Sequence, residues 1–184
     1  MSGGVVAALL AASAAAAPGP NLAVNGSFDS GTSGFKSSYV IATSLGSPGT
    51  IAVGTNSQAL NPNWPPYHDH TSGSGPMLLV NGSTTAGETV WPEQVAVAPA
   101  MAYTFSGWEM SLYQPPAELR FLVNGKVVGQ LTTPVVGGLW TRFAFSSSSG
   151  SATNATLEIL DESTRSAATT SRSTTSRSRA AAQG

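Results

Sequence analysis

The chain is 184 residues long, enough for one domain with a proper core and hardly for two. Only 9% of its residues are charged and it has no cysteine, which excludes a disulfide framework and thiol chemistry and suits a loop-rich extracellular β fold. The formal net charge of −1 hides an asymmetry: all nine acids lie at or before Glu162, whereas Arg165, Arg172, Arg177 and Arg179 follow it, so the acidic body is a poor nucleic-acid ligand.

Residues 1–17 are read as an export signal, with a short apolar stretch from Val5 to Ala12 and small residues suited to cleavage at Ala14 to Ala17. The stretch is too short for a membrane span, and no Lys or Arg precedes it, so a disordered Ala-rich leader stays open as the alternative. From Asn21 onward no window sustains a helical period over three turns. Short alternating runs occupy residues 21–28, 39–41, 51–53 and 77–80, with a long connection over residues 56–76. Val95 and Val97 alternate with polar neighbours before Pro99. Tyr103 and Phe105 then share one face, and Thr104, Ser106 and Trp108 share the other. Leu119, Phe121 and Val123 repeat the pattern up to Asn124-Gly125, a pair that tolerates the positive φ of a type I′ hairpin turn. Phe143 with Phe145, and Leu157 with Ile159, supply two further inward pairs. Eight or more short strands separated by turn residues predict an all-β, antiparallel β-sandwich of the jelly-roll kind.

Several motifs carry a resemblance. Asn21-Leu22-Ala23-Val24-Asn25-Gly26-Ser27-Phe28-Asp29 resembles the opening of carbohydrate-binding modules of families four, nine and twenty-two and their galactose-binding-like relatives. The run from Trp91 through Gln94, Ala96-Val97, Pro99 and Ala102-Tyr103-Thr104-Phe105-Ser106 to Trp108 is similar to their central motif, with Pro99-Ala100 where a Pro-Gly turn is usual. His68-Asp69-His70-Thr71-Ser72-Gly73, leading to Met77-Leu78-Leu79-Val80-Asn81-Gly82, is similar to a sub-group of exported bacterial proteins. The resemblance covers about residues 21–161 and implies a secreted, monomeric, non-catalytic module whose partner is a polysaccharide or other glycan. Relatives hold a structural calcium between the first and last strands, with Asp29 at the acidic position of the opening motif; its partner aspartates would come from the last strand, so the site is expected to be incomplete here, and no other cofactor is implied.

The residues after Glu162 include no aliphatic side chain larger than Ala, no aromatic and no acid. They are expected to leave the sandwich without its last strand, with residues 163–184 a disordered Ser/Thr/Arg-rich tail. The family ends with a strand resembling Gly-Asn-Asp-Phe-Ala-Leu-Asp-Asp-Ile-Ser. GC-rich codons for that strand, read one base late, give Ala-Thr-Thr-Ser-Arg-Ser-Thr-Thr-Ser-Arg, which is the run from Ala168 to Arg177. A frameshift between about Glu162 and Ala168 is therefore the favoured account of the tail, with a disordered linker or a basic arm as alternatives.

His68, Asp69 and His70 form the one cluster resembling a metal or catalytic site, but in extended chain the two imidazoles point to opposite sides, and bracing of the loop by Asp69 and His70 is the simpler expectation. Glu88, Glu93, Glu109, Glu118 and Glu158 sit in no glycosidase motif, and no nucleophile elbow is present. Sugar rings stack their C–H faces on aromatic planes beside polar groups that fix the hydroxyls. The candidate ligand-binding residues are accordingly Trp64 and Tyr67 in the Pro-rich loop, Trp108 on the outward face of its strand, Tyr113 before Pro115-Pro116, and Arg120, with Arg142 similarly outward. A structural or adhesive domain without a small ligand remains open, with Trp91, Trp108 and Trp140 then packed under loops. A secreted glycan-active hydrolase comes third.

Overall fold

A computed structural model describes residues 19–164 and 168–172. The export signal and the part of the tail from residue 173 onward lie outside the described residues. The elements in chain order are β1 (Val40–Ile41), β2 (Thr50–Gly54), a one-turn helix α1 (Ser57–Leu60), β3 (Met77–Asn81), β4 (Glu88–Ala96) and β5 (Ala102–Ser111). They continue with β6 (Glu118–Val123), β7 (Lys126–Thr132), β8 (Thr141–Ser148), β9 (Asn154–Asp161) and β10 (Ala168–Arg172). These strands build the predicted β-sandwich: a six-stranded sheet in the order β1-β2-β3-β10-β5-β8 faces a four-stranded sheet in the order β4-β9-β6-β7. Every pairing is antiparallel except the short parallel contact of β1 with β2.

The period-2 pattern decides which side chains enter the space between the sheets. Leu119 and Phe121 from β6, Leu157 and Ile159 from β9, Trp91 and Val95 from β4, Phe105 from β5 and Phe143 from β8 meet there as one core. Its centre is a run of rings, with Phe121 4.4 Å from Phe143 and 5.7 Å from Phe105, the latter edge-on. The β6–β7 hairpin turns at Asn124-Gly125 with φ of 51° and 73°, the left-handed pair that a type I′ turn requires. Its Asn124 side chain also accepts the Thr156 N–H at 2.8 Å, tying the turn to β9.

Two expectations are corrected. Residues 21–28 form turns rather than an opening strand. Asn25 organises them: its side-chain amide donates to the carbonyls of Gly31 and Ser33 at 2.9 and 2.8 Å, and its Oδ1 accepts the Ser30 N–H. The loop drives Phe28, at φ 61°, into the core. Apolar alternation here reflects two anchors on a folded loop, not the two faces of a strand. The second correction concerns the last strand, which is present. Residues 168–172 stand as β10 between β3 and β5, with Thr169 opposite both Val80 and Ser111, and Ser171 opposite both Leu78 and Glu109. The expectation of a missing strand rested on side chains, whereas a ladder between two waiting edges is made by backbone.

Candidate functional site

On β5 the residues facing the core are Phe105, Gly107 and Glu109, so Ser106, Trp108 and Met110 face outward from the six-stranded sheet. That outer face is divided. One half carries Ala52, Met77, Leu79 and Met110, which with Leu45, Trp64 and Leu112 form a second apolar cluster roofed by Leu60, Tyr67 and Trp140. The other half, along β8, is open: Arg142, Ala144 and Ser146 are exposed. Trp108, half-buried, stands at the boundary, with Arg142 directly across the ladder from it.

The roof is held by polar groups of the 56–76 connection. Asn56 caps α1 through the Gln58 N–H at 2.8 Å, and Ser57 donates its hydroxyl to the Pro65 carbonyl at 2.5 Å while accepting the Tyr67 N–H at 2.8 Å. The side-chain amides of Asn61 and Asn81 both donate to the Leu45 carbonyl, at 2.9 and 2.8 Å. Tyr67 lies flat on Gly137-Gly138: a Cβ on Gly138, whose φ is +82°, would come within 2.5 Å of the Tyr67 ring.

Asp69 braces the next loop. It accepts the N–H groups of Thr71, Ser72 and Gly75 at 2.8, 2.9 and 2.6 Å and the Ser72 hydroxyl at 2.9 Å. Burial raises its pKa, but the donors from Ser72, Gly75 and Thr71 outweigh that and hold the carboxyl below the usual carboxylate range. The loop so fixed lays His70 on Trp108, with ring centres 3.6 Å apart and planes 19° from parallel, and sets Trp140 edge-on to His70 at 6.1 Å. The Trp140 indole N–H donates to the His68 carbonyl at 3.1 Å, whereas the His68 ring is turned away, its Nδ1 2.9 Å from the Thr55 carbonyl. His68 and His70 thus diverge, and no group of three His, Cys, Asp or Glu among the described residues is placed to hold a metal.

The other sequence candidates separate. Trp64 is only 5% exposed and lies within the apolar cluster beneath the site, so it supports the surface rather than offering it. Tyr67 and Trp140 pack on the same apolar cluster, and Trp140 stands edge-on to the His70 that lies on Trp108. Tyr113 is 58% exposed just beyond the end of β5; the adjoining Gln114 side chain donates to the Val135 carbonyl, where Val135 and Val136 are also exposed. Arg120 belongs to β6 in the four-stranded sheet and pairs with Glu162 at 3.1 Å, so it does not join Trp108; Arg142 does. Asp29 is exposed and accepts the Ser27 hydroxyl at 2.5 Å. His70 and Trp140 were missed as site residues. Trp140 lies two residues before Arg142, at the spacing that puts it on the Trp108 side once β8 is known to pair with β5.

Glu109 is distinct from this site. It is 1% exposed, faces the interior, and its Oε2 has no hydrogen-bond partner, so burial pushes its pKa up to about 8. Glu93 is also buried, accepting the Val24 N–H at 2.6 Å, and burial raises its pKa despite that bond.

No protein-family model and no curated protein matches the chain. Solved structures do. A tandem CBM22-1–CBM22-2 structure from Paenibacillus barcinonensis Xyn10C aligns with a TM-score of 0.59 at 17% identity over 92% of this chain and 48% of its own, so the chain spans about half of that structure. The single CBM22-1 xylan-binding domain of the same protein gives 0.57 at 18% identity, over 91% of this chain and all of its own. A Stig cyclase from Fischerella sp. TAU gives 0.65 at 10% identity, over 90% and 100%. At these identities the likeness is one of fold: the chain has the jelly-roll sandwich of carbohydrate-binding modules, a frame that also carries cyclases.

Proposed function

We propose that the chain is a non-catalytic carbohydrate-binding module of a secreted or cell-surface protein, acting as a monomer and taking a polysaccharide along the outer face of the six-stranded sheet. The observation that carries this reading is the aromatic wall of Trp108, His70, Trp140 and Tyr67, fixed by braced loops beside the open ledge of β8. A preformed wall of rings with hydroxyl-bearing residues alongside suits sugar, because little order has to be created on binding. The xylan-binding module of the same fold lends support. Titration with xylan, cellulose and pectic polysaccharides is expected to show binding that Trp108→Ala weakens by about tenfold or more, the size of one lost ring contact. Binding unchanged by Trp108→Ala and Tyr67→Ala would remove this face.

A second reading, a structural or adhesive domain, is favoured by the burial of Trp64 and by His70 covering one face of Trp108. Failure to bind any of the three polysaccharides decides for it. Glu109, the carboxyl held protonated, points away from the wall, which leaves the proposed site without an acid of that kind.

A further inference from the structure

We infer, building on that reading, that the glycan taken at this face is an acidic one and that Arg142 contacts its carboxylate. The inference comes from the placement of charge around Trp108. Arg142 faces Trp108 across the β5–β8 ladder, where directly opposed side chains stand about 4.5–5.5 Å apart at Cβ. It is exposed, and the ion pair of Arg120 with Glu162 lies on the other sheet. Its planar fork of donors is therefore offered to solvent at the edge of an aromatic wall, the arrangement that holds a carboxylate by two parallel hydrogen bonds while the ring beside it supports the sugar.

The acids of the chain stand elsewhere. The outward positions near Trp108 on β5 and β8 are Thr104, Ser106, Met110, Ala144 and Ser146, none of them acidic. Asp69, in the loop that carries His70, accepts three backbone N–H groups and the Ser72 hydroxyl. Glu109 is on the opposite face of β5 and neutral below pH of about 8. A chain with nine acids and four bases up to Glu162 thus presents a cation beside Trp108 with no acid at the neighbouring outward positions of β5 and β8. A neutral glycan offers that cation only hydroxyl and ring oxygens, whereas a uronate offers a carboxylate that its two parallel donors match.

The test is a titration of the full chain with polygalacturonate, and in parallel with xylan and cellulose, at low and moderate salt. Polygalacturonate is expected to bind at least tenfold more tightly than either neutral polymer. Arg142→Gln is expected to remove about a tenfold share of that preference, and Arg142→Lys to restore part of it. Lys126→Gln, at the β6–β7 turn, controls for attraction by net charge and is expected to change nothing. Equal binding of acidic and neutral polymers, or a preference indifferent to Arg142→Gln, overturns the inference but leaves a carbohydrate-binding module. Binding of none of the three overturns the module reading and this inference with it.

Discussion

Strands β9 and β10 hold equivalent places and are built in opposite ways. Each is an inner strand of its sheet, β9 between β4 and β6, β10 between β3 and β5, and each is laddered on both sides. The sequence of β9, Asn-Ala-Thr-Leu-Glu-Ile-Leu-Asp, alternates, and buries Ala155, Leu157, Ile159 and Asp161. The last of these accepts the Tyr39 hydroxyl at 2.7 Å and the Ser163 N–H at 2.9 Å. Burial, and then the Asp161 charge, push the Tyr39 hydroxyl far above its ordinary pKa, so it remains a donor. The sequence of β10, Ala-Thr-Thr-Ser-Arg, has no apolar residue larger than Ala, and its buried Thr169 spends its hydroxyl on the Met110 carbonyl at 2.9 Å. In β9 the strand specifies its place; in β10 the flanking edges specify it. Backbone pairing and side-chain burial are separable contributions, and only the second is written in a strand's own residues.

The sharpest way to break this comparison is to fill the second slot. We propose that a frameshift replaced a terminal strand like that of the carbohydrate-binding modules the sequence resembles. The backbone register then assigns the Phe of Gly-Asn-Asp-Phe-Ala-Leu-Asp-Asp-Ile-Ser to the position of Ser171, opposite Leu78 and Glu109 on the core side. Replacing residues 168–177 by that strand is expected to raise stability by about 1.5–3 kcal/mol for the Phe alone and by several kcal/mol in all, read as a higher urea midpoint. A restored chain no more stable than the present one would show that β10 does not occupy that strand's place. The gene's own DNA gives an independent reading: a single-base change must restore the aspartate-rich ending.

What was legible in the sequence follows the same division. The Asn124-Gly125 hairpin, the inward Leu119-Phe121 and Leu157-Ile159 pairs, and the outward face of Trp108 are local patterns, and each stands where the alternation puts it. Arg120 could not be placed from alternation, because period 2 assigns a face and not a sheet, and β6 joins β9 rather than β5. The burial of Trp64 and the seating of His70 depend on how the 56–76 connection folds back, which Asn56, Ser57, Asn61 and Asp69 fix through bonds that no hydrophobic period records. Residues 21–28 misled for the converse reason, since a folded loop with two apolar anchors alternates like a strand.

A smaller test concerns what β10 fails to offer its neighbour. Glu109 lies opposite Ser171 on one side and Thr141 on the other, and neither brings a cation. With burial raising its pKa from 4.5 to about 8, the folded chain keeps the proton in that interval while the unfolded chain has released it. The unfolded state therefore binds fewer protons, so stability falls as pH rises from about 4.5 to about 8 and levels off above. At roughly 1.4 kcal/mol per pKa unit the loss is a few kcal/mol. Glu109→Gln is expected to flatten melting temperature across this window and to stabilise the chain most at pH 8 and above. An unchanged slope in the variant would mean that Glu109 is solvated or paired.

The smallest effect puts the question of β10 to a single residue. Ala100 follows Pro99, and its φ is 56°, in the left-handed region that a Cβ disfavours by about 1–2 kcal/mol. Nothing in Ala asks for that conformation; the surroundings impose it, through the Ala100 N–H donating to the Gly150 carbonyl at 2.6 Å and the Met101 N–H to the Ser149 hydroxyl at 3.0 Å. Asn124, at φ 51°, differs because its side chain tolerates the region and is used there. Ala100→Gly relieves the Cβ contact but gives the unfolded chain more freedom to lose, so the expected net gain is about 0.5–1 kcal/mol, a rise of a few degrees in melting temperature. If Ala100→Gly instead destabilises, the turn draws stability from its alanine, and the claim that neighbouring edges hold residues to a backbone they do not prefer fails at the position where it is simplest to isolate.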